Sequence, residues 1–195
     1  MRIIGGQWRG LHLAEVGAGD PKAHLRPTSD RVREAIFNLL INGRHGDLVT
    51  GRVVLDLFAG TGALGLEAVS RGAISATLVE NGRTAQGLIG QNIAKMRVQG
   101  QVSLMPRDAT KLPPAPAPFN LIFLDPPYGK GLVPRALAAL QAKGWIAPGA
   151  LVIAETGRDE EAEIPPGYEL ISVREHGAAR LSVLRRAPDC GDAAS

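Results

Sequence analysis

The chain has 195 residues, 45% of them hydrophobic and 21% charged, with a formal net charge of +3 and a pI near 9.3. That length fits one domain with small appendages, and the mild basic excess permits an anionic partner without demanding one. The lone Cys190 excludes an internal disulfide, no apolar run reaches the roughly 18 residues of a membrane span, and "MRIIGGQWRG" lacks a signal peptide's apolar centre, so a soluble cytoplasmic protein is expected.

Residues 1–13 ("MRIIGGQWRGLHL") predict two short strands about a Gly-Gly turn. "AEVGAGDPKAH" is loop chemistry, and "RPTSDRVREAIFNLLIN" predicts a helix. Val32, Ala35, Ile36, Leu39 and Leu40 mark its buried stripe, with Thr28 or Ser29 as N-cap and Asp30 in the first turn. From residue 52 the pattern alternates. Strands are expected at "RVVLDLF", "SATLVE", "QVSLMPR", "NLIFLD" and "ALVIAE", with helices near 63–71, 83–98 and 131–143. Gly72 and Gly144 serve as helix stops, and Gly87 and Gly90 weaken the second of these helices. "KLPPAPAPF" reads as a surface connection. The alternation implies a parallel sheet with helices on both faces, and "YELISVREHGAARLSVLRR" predicts a closing antiparallel hairpin. Residues 187–195 read as a disordered tail.

The motif Gly60-x-Gly62-x-x-Gly65 stands directly after the first of these strands and opens a helix. Such a loop lets a ligand approach the backbone closely, whereas a glycine-eased turn is the plain alternative. Glu80 ends the second strand, 20 residues beyond Gly60, where an acid can hold the two hydroxyls of a ribose. A dinucleotide and S-adenosylmethionine both carry a ribose. Asp56, at the start of the loop, would repel a pyrophosphate and attract an ammonium. Asp108 can accept a hydrogen bond from an adenine amino group. Asp56, Glu80, Asp108 and Asp125 all fall at or near the ends of the first four strands, which favours a cationic ligand with several donors. S-adenosylmethionine is the better fit. No His or Cys cluster suggests a metal.

The fourth strand ends in "LDPPYGKG". An exocyclic base amine is a poor nucleophile because its lone pair is delocalised into the ring. Two acceptors, the Asp125 carboxylate and the Pro126 carbonyl, would turn that lone pair towards a methyl donor. Pro126 and Pro127 would stiffen the loop and Tyr128 would stack on the base. A Pro-Pro stop with a core tyrosine is the alternative.

Taken together, these motifs resemble those of a known family. "DPPY" is the signature of methyltransferases acting on exocyclic amines of adenine, cytosine or guanine. "RIIGGQWRG", "RPTSDRVREAIFNLL", "VLDLFAGTGALGLEAVSRGA" and "LDPPYGKG" together resemble the RsmD family over about residues 2–186. The resemblance implies a Rossmann-like α/β fold of class I S-adenosylmethionine-dependent methyltransferases. Its sheet is mostly parallel, with a C-terminal antiparallel hairpin and an N-terminal β-hairpin extension. It implies an extension over 1–25, a methyltransferase domain over 26–186 and a tail over 187–195. It further implies methylation of a guanine N2 in 16S rRNA, within an assembled or partly assembled small ribosomal subunit; a monomer is expected. Asp56, Phe58, Ala59, Gly60, Gly62, Glu80, Asn81, Asp108 and Ala109 fall on cofactor positions, and Asp125, Pro126, Pro127 and Tyr128 on target-base positions. His176 stands where an aromatic is expected before the glycine of the closing hairpin.

For RNA contact the candidates are Arg2, Trp8, Arg9, Arg26, Arg31 and Lys130, with Arg33 beside them on the helix. The alternative is a solvated charged face with Trp8 packed on the domain; Arg185 and Arg186 are read that way. Rival functions are N6-adenine methylation of DNA or RNA, an NAD-binding oxidoreductase, and a non-catalytic ribosome-assembly factor.

Overall fold

The computed structural model describes residues 1–15, 29–43, 46–160 and 163–188. Their elements are α1 (Asp30–Asn42), β1 (Val53–Leu57), α2 (Ala63–Ser70), β2 (Ser75–Val79), α3 (Arg83–Met96), β3 (Val102–Met105), β4 (Phe119–Leu124), α4 (Leu132–Ala142), β5 (Ile146–Gly157), β6 (Tyr168–His176) and β7 (Ala179–Arg186). Every element expected beyond residue 52 is present. β5 begins earlier than expected, at Ile146, and runs through Pro148 and Gly149. Its register against β4 shifts between Phe119 and Leu121, and this irregularity absorbs them.

The sheet order is β3-β2-β1-β4-β5-β7-β6. β3, β2, β1, β4 and β5 pair in parallel; β7 is antiparallel to both β5 and β6. The connections from β1 lead one way to β2 and β3, whereas β4 and β5 lie on the other side. A crevice at the carboxyl ends of β1 and β4 follows from that reversal. Residues on β1 alternate between the two faces. Val54 joins α1, α2 and α3 in one core, with Ile36, Phe37, Leu66 and Ile89. Leu55 and Leu57 join α4 in the other, with Leu137, Leu140 and Trp145. Asp56, two residues after Val54, is thereby turned towards α2.

At α1, Ser29 caps the helix by accepting from the Val32 N–H at 3.2 Å. Of the expected stripe, Val32, Ile36 and Leu40 are buried, and Arg33 and Phe37, which were not part of it, are buried with them. Ala35 and Leu39 are half-buried. Helix α3 passes straight through Gly87 and Gly90.

The N-terminal segment differs from expectation. In place of two strands it has one antiparallel bridge, Arg2 to His12, flanked by bonds from Ile3 N–H to the Leu11 carbonyl and from Leu13 N–H to the Met1 carbonyl. The intervening backbone is committed to α2 instead. Ile4 and Gly5 N–H groups each donate to Glu67 at 2.8 Å, and the Trp8 N–H donates to the Ser70 hydroxyl at 3.1 Å. Gly6 has φ +75°, and a Cβ there would lie 1.8 Å from the Ser70 carbonyl oxygen, so this close docking requires glycine. Ile3 and Leu13 are buried in the core beside α1.

Candidate active site

Leu57 is level with Val79 and Leu124, and Val79 is level with Met105. The residues that follow these four strands therefore meet at one edge of the sheet. They include Phe58 to Gly62, Glu80 and Asn81, Asp108 and Ala109, and Asp125 to Tyr128. All the candidate cofactor and base positions are thus gathered along one crevice.

The turn after β1 is strained. Phe58 has φ +60°, a left-handed conformation that is unusual for a bulky residue and costs of order 1–3 kcal/mol. Gly60 and Gly62 follow with φ of 58° and 80°. The loop is held from outside: the Glu80 carboxylate accepts from the Gly60 N–H at 2.9 Å and the Gly82 N–H at 2.7 Å. Gly65 lets α2 approach the sheet, since a Cβ there would lie 2.3 Å from Leu78 and 3.3 Å from Asp56.

Asp56 is 1% exposed and accepts from the Gly65 N–H at 2.9 Å through Oδ2. Its Oδ1 is buried with no hydrogen-bond partner among the described residues. Burial pushes its carboxyl up to about 7, against the Gly65 bond, and the charges of Asp125 and Glu80 add to the rise. A buried acceptor without a donor, among further acids, suits a ligand that brings a positive charge or an N–H group.

Asp108 behaves differently. Its Oδ1 accepts from the Thr110 N–H at 2.8 Å and the Thr110 hydroxyl at 2.7 Å. These bonds hold its carboxyl below the usual range. Ala109 is buried next to it, whereas Asn81 is exposed at the rim.

Beyond β4, the Asp125 N–H approaches the Leu57 carbonyl at 3.5 Å, which ties the start of the loop to β1. Pro126 is buried and Pro127 exposed. Tyr128 is half-buried; its hydroxyl donates to the buried Glu155 carboxylate near the end of β5. The Gly129 N–H donates to Glu160 at 2.8 Å. Beside Tyr128 lies a cavity of about 610 Å³, bounded also by Gly157, Arg158 and the Gly177 turn between β6 and β7. That size lies in the range of small-molecule sites. His176 is half-buried at the end of β6, next to this turn.

The basic candidates are scattered by comparison. Arg2, Arg9, Arg31 and Lys130 are exposed, while Trp8 is half-buried against the core that holds α2. Arg33 is a correction: it is fully buried, donating at 2.6 Å to the Arg2 carbonyl and at 2.7 Å to Asp30, so it belongs to no RNA-facing surface. Burial lowers its pKa, against the pull of Asp30 and Glu67. Arg26, like Thr28, Cys190 and the tail from residue 189, lies outside the described residues.

Three residues around the site escaped sequence reasoning. Glu67 anchors the N-terminal segment, and Glu155 meets Tyr128. Asn92 on α3 is fully buried, accepting from the Ala14 N–H at 2.6 Å and donating to the Thr61 carbonyl at 3.0 Å. An acid inside the otherwise apolar "ALGLEAVS" was a readable signal for Glu67; Glu155 sat inconspicuously at a strand end. Among the described residues no cluster of His, Cys, Asp and Glu could hold a metal, and no helix is long and apolar enough to cross a membrane.

Comparison with known proteins adds to this geometry. A family model described as "Conserved hypothetical protein 95" matches residues 1–185. The chain is 38% identical over 156 residues to Ribosomal RNA small subunit methyltransferase D of Escherichia coli strain K12, covering 80% of this chain and 74% of that protein. It is 33% identical over 181 residues to the protein of the same name from Haemophilus influenzae, covering 91% and 89%. The solved structure of yhhF from Escherichia coli is similar with a TM-score of 0.82 at 33% identity, over 97% of this chain and 99% of that one.

Proposed function

The chain belongs to the RsmD family, and from that membership we propose that it methylates the exocyclic N2 amine of a guanine in the 16S rRNA of the small ribosomal subunit, using S-adenosylmethionine. The observation that carries the chemistry is the row of acids along the carboxyl ends of β2, β1 and β4, ending at Asp125-Pro126-Pro127-Tyr128. The substrate reading rests on the names of the curated relatives, whose sequences match most of this chain.

Asp56, Glu80 and Asp108 would hold the cofactor. Asp56 fits its ammonium because Oδ1 is a buried acceptor still without a donor. Glu80 fits the ribose hydroxyls: each of its oxygens already takes one backbone N–H and has a further lone pair to offer. Asp108 has Oδ2 uncommitted to Thr110 and suits the adenine amino group. Phe58, Ala59, Gly60 and Gly62 shape the loop, and Asn81 and Ala109 flank the adenosine. S-adenosylmethionine supplies an electrophilic methyl group whose bonding pair stays with sulfur.

The chain's own work is to aim the nucleophile. The Asp125 carboxylate and the Pro126 carbonyl accept one N–H each from the guanine amine, so that its lone pair is drawn out of conjugation with the ring and points at the methyl carbon. The prolines fix φ and remove competing donors, and Tyr128 holds the base by its ring face. Asp125 is the carboxylate positioned to accept the proton that the nitrogen gives up. Arg2, Arg9, Arg31 and Lys130 are exposed cations suited to phosphate, and Trp8 lies between the first two along the N-terminal segment.

Purified small subunits, labelled methyl donor and Asp125→Ala test this reading. Methyl transfer falls by at least ~100-fold, while the cofactor dissociation constant changes little. Undiminished transfer by Asp125→Ala would refute the mechanism. A wild-type chain that supports subunit assembly but transfers no methyl group would identify an assembly factor instead.

A further inference from the structure

We infer that Glu155 is a positioning residue that holds the Tyr128 ring as one wall of the cavity receiving the target nucleotide; this rests on the proposed contact between Tyr128 and the base. A carboxylate that is only 7% exposed is costly to bury, and its location calls for a reason. Ala154 is level with Leu124 across the parallel pair of β5 and β4, so Glu155 stands alongside Asp125 at the edge of the sheet. The Tyr128 hydroxyl donates to Glu155 Oε1, which fixes the far end of the side chain. The ring itself lies over Gly157, where a Cβ would come within 3.4 Å of it. The next residue along, Gly129, donates its N–H to Glu160 at 2.8 Å. Three points on β5 and its extension thus fasten the end of the Asp-Pro-Pro-Tyr loop, while the prolines stiffen its beginning. Together they present the ring to a space of about 610 Å³ lined further by Arg158 and Gly177. A base stacked there meets a ring of one orientation.

The experiment uses the full chain with Glu155→Ala, Glu155→Gln, Tyr128→Phe and the Tyr128→Phe/Glu155→Ala double variant, together with fluorine NMR of protein labelled with 3-fluorotyrosine. The Tyr128 resonance is the one missing from Tyr128→Phe. It shifts or broadens in Glu155→Ala and is largely restored in Glu155→Gln, which keeps an acceptor oxygen. KM for the RNA rises about tenfold in Glu155→Ala with cofactor affinity unchanged, and Gln returns it to within about threefold of wild type. The double variant is no worse than the poorer single one, because both changes break the same contact. An unmoved Tyr128 resonance, effects that multiply in the double variant, or a Gln variant as impaired as Ala would overturn the proposal. Should the wild-type chain transfer no methyl group to small-subunit RNA, the functional reading fails by itself, and the fluorine spectrum still decides whether Glu155 holds Tyr128.

Discussion

Replacing Glu67 by alanine should release the N-terminal segment from α2 and destabilise the whole domain. Glu67 is fully buried and accepts three bonds: from the Ile4 and Gly5 N–H groups at 2.8 Å each, and from Arg71 Nε at 2.7 Å. Leaving two partly buried N–H groups unpaired costs about 1–3 kcal/mol each. Arg71, 15% exposed, also loses its carboxylate while it remains over the Phe37 ring at 5.0 Å. A total of ~4 kcal/mol follows, about a quarter or more of the ~5–15 kcal/mol that holds a typical domain together. At about 2–4 °C per kcal/mol for a chain of this size, the midpoint of thermal unfolding falls by roughly 8–16 °C. Urea unfolding measures the loss directly, as a lower midpoint at an unchanged slope. Glu67→Gln keeps one acceptor oxygen but turns an NH2 towards a donor, so it should recover only part of the loss. A loss below about 1 kcal/mol for Glu67→Ala would refute the reasoning, because the two amides would then have found water or another acceptor at little cost.

Asp56 gives a prediction in pH. Its folded pKa of about 7 lies above the ordinary carboxylate value, so between about pH 4 and 7 the folded chain binds more protons than the unfolded one. Stability therefore falls as pH rises through that window, and Asp56→Asn should flatten this part of the profile; an equally steep fall in the variant would contradict the assignment. In the same protein, affinity for the cationic cofactor should rise from pH 6 to pH 8 as Asp56 ionises, and calorimetric titration of Asp56→Asn should lose that trend. Gly65→Ala puts a methyl group 2.3 Å from the buried Leu78 side chain, so despite a helix-propensity gain near 1 kcal/mol it should destabilise by about 1–2 kcal/mol in urea unfolding. Arg2→Ala and Arg9→Ala should weaken RNA binding, and each lost phosphate contact should lower the salt slope by about 0.7; an unchanged slope would assign both to a merely solvated face.

Much of the fold was legible because local signals agreed. From Val53 onwards, β-branched runs alternate with helical periodicity, and glycines mark the stops at Gly72 and Gly144. The gathering of Asp56, Glu80, Asp108 and Asp125 at one edge followed from the same order, since an acid at a strand end in a parallel sheet has one edge on which to lie. What escaped was set by tertiary contact. "RIIGGQWRG" carries hairpin composition, yet it keeps only one antiparallel bridge, and the N–H groups of Ile4, Gly5 and Trp8 go to Glu67 and Ser70. Arg33 carries a charge, yet the Arg2 carbonyl and Asp30 draw it inside. Tyr128 reads as a stacking residue, but its partner Glu155 is 27 residues away and becomes adjacent only when β5 pairs with β4.

Methylation of a guanine N2 in 16S rRNA is the activity proposed for this chain. Mass mapping of modified nucleosides in 16S rRNA, from cells with and without the chain, tests it most directly. One N2-methylguanosine should disappear with the chain and return with the wild-type sequence but not with Asp125→Ala. An unchanged N2-methylguanosine complement, or the loss of an N6-methyladenosine in its place, would contradict it.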